Sequence, residues 1–365
     1  MHRFPPAEGS LEVVQVADRH HLGLVHALMP AIYADYPCWV PPLRLQFNRM
    51  LGSYRAPDRR LYLALRHGRP VARVAVGKQP QALHFGFFEC AYGHRDAAAA
   101  VIEQAHSWAP HLPLRGPYHY KQEDPYTGLL VEGFDEQPQF LMPYHPPYYA
   151  DYLASAGLMG MTDLFAYEFR GETAPVEVLY RPFPVRGIRV RPMDPWHRAR
   201  DVGFFLDVFN DALSGNRGFE RLEGAHAREL FLLSFFILDP RWCFLALQDD
   251  RPVGALLFMP NYAPVLKKHG GRLTLPFVWD FLRCRRSPGS LRGYALGVVG
   301  DRRAGGVVTR ALLHTAIPYL LENSITRMEA GWILADNSSM IRLAERFGGR
   351  RAKVYRILER SATTA

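Results

Sequence analysis

The residues best suited to chemistry are Arg303-Ala304-Gly305-Gly306. They follow an apolar, β-branched run, Tyr294 to Val299, which Gly300-Asp301 breaks. From Val307 the apolar residues recur at helical spacing: Val308, Ala311, Leu312, Ile317. The four therefore stand at an expected helix N-terminus, where unpaired N–H groups and the positive end of the helix dipole meet. Glycines there let a ligand approach the backbone closely, which suits a pyrophosphate. Arg303 adds a fixed positive charge. The pattern is neither GxGxxG nor GxxxxGK(S/T), so a plain strand-to-helix turn is the alternative. A second candidate is Glu329, in the expected strand Arg327 to Leu334. A carboxylate in a mostly buried strand is costly unless it is paired or functional, so Glu329 reads as a general base, as the partner of a nearby arginine, or as an edge residue facing water. Asp336 ends that strand, and the sequence D-N-S-S makes it the expected cap of the next helix.

The 365 residues, 48% hydrophobic and 22% charged, suffice for two domains, each with its own core. Cys38, Cys90, Cys243 and Cys284 form no CxxC pair and read as reduced, buried thiols. The opening MHRFPPAEGS lacks an apolar leader, and the longest apolar run, Phe231 to Leu238, is far short of the roughly 20 residues that span a bilayer. These features give a cytoplasmic expectation. A net charge of +9, spread along the chain with no polybasic block, favours anionic partners: coenzyme A, nucleic acid or an anionic membrane. A solvated arginine-rich surface is the plain alternative. The histidines show no metal-ligand spacing, and no metal is expected.

Stepping through the elements, the first half reads as a strand (Leu11–Val16), a helix (His21–Tyr33), a proline-rich bend (Pro37–Pro42) and a hairpin (Leu61–Leu65, Val71–Val76). A strand (His84–Cys90), a helix capped by Asp96 (to Trp108), a strand (Leu114–Tyr118), a short helix (Pro146–Leu158) and a closing strand (Leu164–Arg170) follow. The second half repeats the order: Ile188–Arg191, helices over Ala199–Leu213 and Gly224–Leu238, and a hairpin of Trp242–Gln248 with Val253–Met259. Then come the strand to Val299, the helix to Leu321, Arg327–Leu334, Ser338–Phe347 and Val354–Leu358. Arg69-Pro70-Val71 recurs as Arg251-Pro252-Val253, and Tyr167-Glu168-Phe169 echoes as Tyr355-Arg356-Ile357. The expected class is α/β (α+β), a duplicated fold over residues 1–175 and 186–365. Each half is a mixed, mostly antiparallel twisted sheet flanked by helices.

The central stretch resembles motif A of the GCN5-related N-acetyltransferase (GNAT) superfamily, V-x-x-x-x-(R/Q)-x-x-G-x-(G/A), through Val298, Arg303 and Gly306. Val308 stands where that family has Gly or Ala. Asp336-Asn337 followed by Leu343-Ala344-Glu345-Arg346-Phe347-Gly348 resembles its motif B. The resemblance implies a tandem GNAT fold and an acyl-CoA or acetyl-CoA co-substrate held by Val298, Val299, Arg303, Ala304, Gly305, Gly306, Val307, Val308 and Asn337. It also implies direct attack of an amine on the thioester, with the backbone N–H near Val298 at the thioester carbonyl and Glu329 as candidate base. Ala344 replaces the tyrosine that usually serves as acid, leaving Tyr294, Tyr355 or solvent. The first half has Gly93-His94-Arg95-Asp96 at the corresponding turn, without the glycine pair, and is expected to have lost its cofactor site.

The acceptor side is less defined. Asn216 and Phe219 lie where this superfamily caps the acceptor pocket, with simple turn chemistry as the alternative. Tyr144, in the aromatic and proline-rich stretch Tyr118 to Tyr152, is a candidate substrate wall or a core loop. Trp279 lies in Pro260 to Arg292, where an apolar aromatic run precedes Arg283, Arg285 and Arg286. That stretch reads as an interfacial helix for anionic lipid, a lid over an acyl chain, or a core helix with a solvated end. The pieces LRGPYHY, GLLVEGFD, LMPYHPPYY, NRGF, GRL and LGVV resemble a two-domain bacterial family that includes ceramide synthases. This resemblance implies an N-acyltransferase acting on a lipid amine such as a sphingoid base, with peripheral membrane contact. Acetyl transfer to a small polar amine, an aminoacyl-tRNA-dependent transferase and a non-catalytic acyl-CoA-binding protein are the alternatives.

Overall fold

The computed structural model describes residues 4–119, 125–173, 187–213, 221, 223, 236–300 and 302–363. The chain divides into two compact units. One comprises Met1–Phe165, Leu266–Thr274 and Lys353–Ala365, the other Ala166–Val265 and Leu275–Ala352.

In the first unit the elements are β1 (Leu11–Gln15), α1 (Arg19–Ile32), α2 (Arg44–Gly52), β2 (Arg59–Arg66), β3 (Arg69–Lys78) and β4 (Leu83–Cys90). After them come α3 (Arg95–His106), β5 (Leu114–Gly116), β6 (Leu129–Glu132) and α4 (Tyr149–Ser155). β1 to β4 form an antiparallel meander, and β5 joins β4 in parallel. The period-2 alternation of β2 splits its side chains between two cores. Tyr62 and Ala64 pack with Val101, Ile102 and Ala105 of α3. Leu61, Leu63 and Leu65 pack on the other face with Val25 of α1 and Phe47 and Leu51 of α2. Asp96 does not cap α3: His94 holds that position, and the Asp96 carboxylate in the first turn accepts a hydrogen bond from buried Arg66. α2 carried no sequence expectation, and β6 lies within the stretch Tyr118 to Tyr152 expected as a wall or loop; each is too short to show a period.

The second unit contains β8 (Ile188–Pro192), α5 (Arg198–Leu213), β9 (Cys243–Gln248), β10 (Arg251–Pro260), the start of α6 (Ala263–Lys268) and α7 (Leu275–Arg286). It continues with β11 (Leu291–Val298), α8 (Arg302–Glu322), β12 (Arg327–Leu334) and α9 (Ser338–Arg346). Its strand order β12-β11-β10-β9-β8 matches β5-β4-β3-β2-β1 of the first unit. Even the hairpin turns agree: His67-Gly68 and Asp249-Asp250 all have positive φ, as a two-residue turn between right-twisted strands requires. The expected helix Gly224–Leu238 lies largely outside the described residues.

The last strands differ from expectation. Leu164–Arg170 had been read as closing the first half and Val354–Leu358 the second. In the structure β13 (Arg350–Arg360) pairs from Val354 onward with β6 and β5, completing the first unit. The final residues of β7 (Met159–Arg170) belong to the second unit, where Glu168 is buried among Arg170, Arg327 and Arg350. Alternation of apolar residues identifies a strand but not the sheet it joins. A third exchange is Leu266–Thr274, which belongs to the first unit: Arg44 N–H donates to Gly271 O at 2.9 Å, and Lys267 reaches Pro37 O. Cys90 and Cys243 are buried, whereas Cys38 and Cys284 are only half-buried; all four are free thiols.

Candidate functional site

The site grows from a split in the second unit's sheet. β11 and β12 pair in parallel through Leu291–Met328, Arg292–Glu329 and Gly293–Ala330, and the pairing ends there although β11 continues to Val298 and β12 to Leu334. The split coincides with a bulge. Opposite β10, Leu257 pairs with Ala295 and Phe258 with Gly293, leaving Tyr294 as the extra residue that turns the strand. Val299 donates its N–H to Val253 O on β10 at 2.9 Å. The N–H of Val298, on the opposite edge of the strand, therefore faces the β12 side, beyond the last paired residue.

α8 begins above this split. It starts at Arg302, not at Val307, so Arg303, Ala304, Gly305 and Gly306 form its first turn instead of a loop before it. The first N–H groups of a helix have no carbonyl within it to bond, and glycines there lose no side-chain packing. Gly305 allows the helix to sit on β11: a Cβ at that position would lie 2.9 Å from Val298 Cγ2. A Cβ at Gly306 would meet nothing within 4 Å, so that face of the turn is open. Val308 points away from it into the core, against Gly254, where a Cβ would come within 2.5 Å of Val308 Cγ1. Val307 is the outward neighbour, 36% exposed. The departure from the family pattern at Val308 is thus absorbed by a glycine on β10, not by the open turn.

Where the strands part, Arg292 is 1% exposed, with its guanidinium 5.2 Å from the Tyr294 ring and 4.8 Å from the Trp332 ring. It donates to Gly331 O at 3.3 Å. Glu329, beside it in register, is 2% exposed. An arginine and a glutamate are thus buried side by side at the foot of the split. Sequence reading found Glu329 but missed Arg292, whose signal was a lone charge in an apolar strand. Asn337, not Asp336, caps α9, accepting the Met340 N–H at 3.1 Å. Ala344 is buried in α9. Tyr355 is fully buried on β13 in the first unit.

The other candidates scatter. Asn216 and Phe219 lie outside the described residues, as do Asp301 and the side chains of Arg303 and Ala304. Trp279 stands at the surface on α7, 72% exposed. Tyr144 lines a cavity in the first unit, 8% exposed, and donates to Phe134 O at 3.0 Å. The first unit's own turn after β4 has its polar groups occupied. Tyr149 OH accepts the Cys90 N–H at 2.9 Å, Tyr152 OH accepts the Gly93 N–H at 2.8 Å, and Tyr148 donates to Cys90 O at 2.7 Å.

No family model matches the chain. It is 26% identical to bacterial ceramide synthase from Caulobacter vibrioides, over 98% of this chain and 99% of that protein. It is 25% identical to protein YghO from Escherichia coli, over 92% and 91%. Among solved structures, a tandem GNAT protein from the clavulanic acid biosynthesis pathway superposes with a TM-score of 0.56 at 15% identity, covering 98% of this chain and 100% of that one. A GCN5-related N-acetyltransferase from Sphaerobacter thermophilus gives 0.53 at 13% identity, covering 97% and 96%. The two matching strand orders, the bulged and split strand pair and these full-length likenesses give the chain the tandem, two-domain form of the GNAT fold.

Proposed function

We propose that this protein is an acyltransferase that moves an acyl group from coenzyme A to an amine, through the second unit. The observation that carries the reading is the parting of β11 from β12 beneath the glycine turn of α8. In this reading the N–H groups of Arg303 to Gly306 take the pyrophosphate and Arg303 adds charge. Val298 N–H meets the thioester carbonyl, and donors aimed at a developing oxyanion lower the barrier to amine attack. Glu329 at the foot of the split accepts the amine proton, and Tyr294 at the bulge or solvent serves the leaving thiolate. Asn337 and Val307 flank the bound thioester.

A lipid amine as acceptor is supported by the name of the Caulobacter relative and by α7. On that helix Leu275, Val278, Trp279 and Leu282 recur at helical spacing and are 87%, 40%, 72% and 51% exposed. Phe277 is buried on the inner face, Phe281 stacks on Tyr262 at 4.2 Å, and Arg283, Arg285 and Arg286 close the last turn. Such a helix suits the interface of an anionic membrane. No described helix is long and apolar enough to cross one.

Calorimetric titration with acetyl-CoA and palmitoyl-CoA tests the reading, together with Arg303→Glu and Glu329→Gln. Palmitoyl-CoA should bind more tightly than acetyl-CoA, and Arg303→Glu should weaken both by about tenfold or more, the value of one charge-assisted hydrogen bond. Glu329→Gln should leave binding intact and lower turnover. Failure of both thioesters to bind would remove the coenzyme A assignment, and equal binding of the two would favour acetyl transfer to a small amine.

A further inference from the structure

The first unit encloses a cavity of about 60 Å³ with a polar floor of Arg73, Glu89, His119 and His145. Arg73 is 0% exposed. Its Nε donates to Phe87 O at 3.1 Å and its Nη1 to Val25 O at 2.8 Å, and Nη2 lies 3.5 Å from Glu89 Oε1. Glu89, 6% exposed, accepts from Tyr149 OH at Oε2 at 2.7 Å. The Tyr33 hydroxyl also hydrogen-bonds this carboxylate, and the Arg73 contact to Oε1 is long, which leaves acceptor capacity on that oxygen. His145 Nδ1 accepts the Leu130 N–H at 3.1 Å, which puts its proton on Nε2 as a donor. His119 Nδ1 is buried with no hydrogen-bond partner among the described residues. Met29, Val40, Met142 and Trp39, the last stacked on Tyr33 at 4.7 Å, make the walls, and half-buried Trp39, Val40 and Pro42 form the approach.

One carboxylate and one guanidinium balance, and burial holds both imidazoles neutral, pushing each down to about 3. A further net charge in such a place would be poorly compensated. What the floor offers is an acceptor at Glu89 Oε1, a second at His119 Nδ1 when that ring carries its proton on Nε2, and a donor at His145 Nε2. A neutral primary amine presents the complement: two N–H donors and one lone pair. An alcohol has a single donor, and a quaternary ammonium has none.

We propose that the first unit is an amine-binding unit, its cavity holding the uncharged head of a primary amine while an apolar tail leaves past Trp39 and Val40. The proposal takes from the acyltransferase reading only that an amine is a substrate.

Titration calorimetry of the full chain with octylamine, octanol and octyltrimethylammonium tests it, with palmitoyl-CoA titrated separately. Octylamine should bind, octanol at least about tenfold more weakly for its missing donor, and octyltrimethylammonium not at all. From pH 7.5 to 8.5 octylamine affinity should rise about tenfold, following the uncharged fraction of an amine whose pKa lies near 10.4. The imidazoles facing the floor are moved below that window and the tyrosines above it. Burial lowers His119, His145 and His26, and Tyr33, Tyr144 and Tyr149 are raised by burial first and then by neighbouring charge, whereas Glu89 is raised by burial against the opposing pull of Arg73. Arg73 stays charged against Glu89.

Glu89→Gln and Val40→Trp should each abolish octylamine binding and leave palmitoyl-CoA binding unchanged. Glu89→Gln strips Arg73 of its counter-charge and risks the fold, whereas Val40→Trp changes a half-buried wall. The proposal is overturned by octyltrimethylammonium binding as tightly as octylamine, by affinity that falls as pH rises, or by undiminished binding in Val40→Trp. Octylamine failing while palmitoyl-CoA binds overturns it and leaves the acyltransferase reading intact. Octylamine binding without palmitoyl-CoA binding keeps this site and removes that reading.

Discussion

Mild acid should destabilise the first unit before most carboxylates titrate. In the folded chain burial pushes His119 and His145 down to about 3, and for His119 the nearby His145 and Arg73 act in the same direction. In the unfolded chain each histidine takes a proton near 6.5. Between those values the unfolded state holds protons that the folded state refuses, so stability falls as pH falls. The contribution is fully present above about 6.5 and is lost progressively toward about 3. The slope approaches about 1.36 kcal/mol per pH unit for each histidine once the pH is below about 6, so the pair alone removes about 3 kcal/mol between pH 6.5 and 5.0. That is a large part of the roughly 5–15 kcal/mol that holds an ordinary domain together. His26 and His94, also lowered by burial, add to the trend. Urea unfolding at half-unit steps from pH 7.5 to 5.0 measures it. His145→Asn keeps an acceptor for the Leu130 N–H but cannot gain a proton, and His119→Asn likewise removes one titration. Each should reduce the slope by about 1.4 kcal/mol per pH unit. Stability that is flat across the window, or a slope that neither substitution changes, would refute the reasoning.

Two further outcomes concern the second unit. Gly305→Val should lower the melting temperature and weaken palmitoyl-CoA binding, because its Cβ would press on Val298, whereas Gly306→Ala has open space and should leave the melt unchanged; the overpacking cost is about 1–3 kcal/mol, read by thermal melts beside calorimetry. On α7, the double change Leu275→Ser and Trp279→Ser should alter stability by no more than about 0.5 kcal/mol, as exposed positions do, yet markedly reduce co-sedimentation with vesicles containing phosphatidylserine. Unchanged co-sedimentation would remove α7 from any membrane contact.

Much of the sheet was legible because its strands are short apolar runs separated by clear breakers. Both hairpins, β4, β11 and β12 lay close to where alternation placed them. The glycine turn was placed outside its helix, since two glycines argue against helix by propensity while the first turn tolerates them. The cap of α9 was expected at Asp336 and is held by the adjacent Asn337, since either side chain could fill it from sequence. Three buried charges went unread. Glu89 sits in the apolar HFGFFEC, and the rule that singled out Glu329, a carboxylate in a buried strand, applied equally there. Arg73 and Arg292 escaped because arginine is abundant in this chain, and abundance hides the few that are fully desolvated. The cavity joins α1, the Pro37–Pro42 bend, β3, β4 and the stretch around His145, a juxtaposition that no local pattern encodes.

The exchange of terminal strands bears on how the chain comes into being. The first unit receives its last strand, β13, from residues more than two hundred positions after β5, and its bend from Pro37 to Pro42 is held by Leu266–Thr274 from far downstream. A nascent chain that has emitted only residues 1–175 therefore exposes β5 and β6 without their partner. Closure of the first unit must await the synthesis of β13, when a contact spanning more than two hundred residues can form. An expressed N-terminal fragment should accordingly aggregate, and adding the C-terminal strand as a peptide should rescue it, as in the restoration of a split protein.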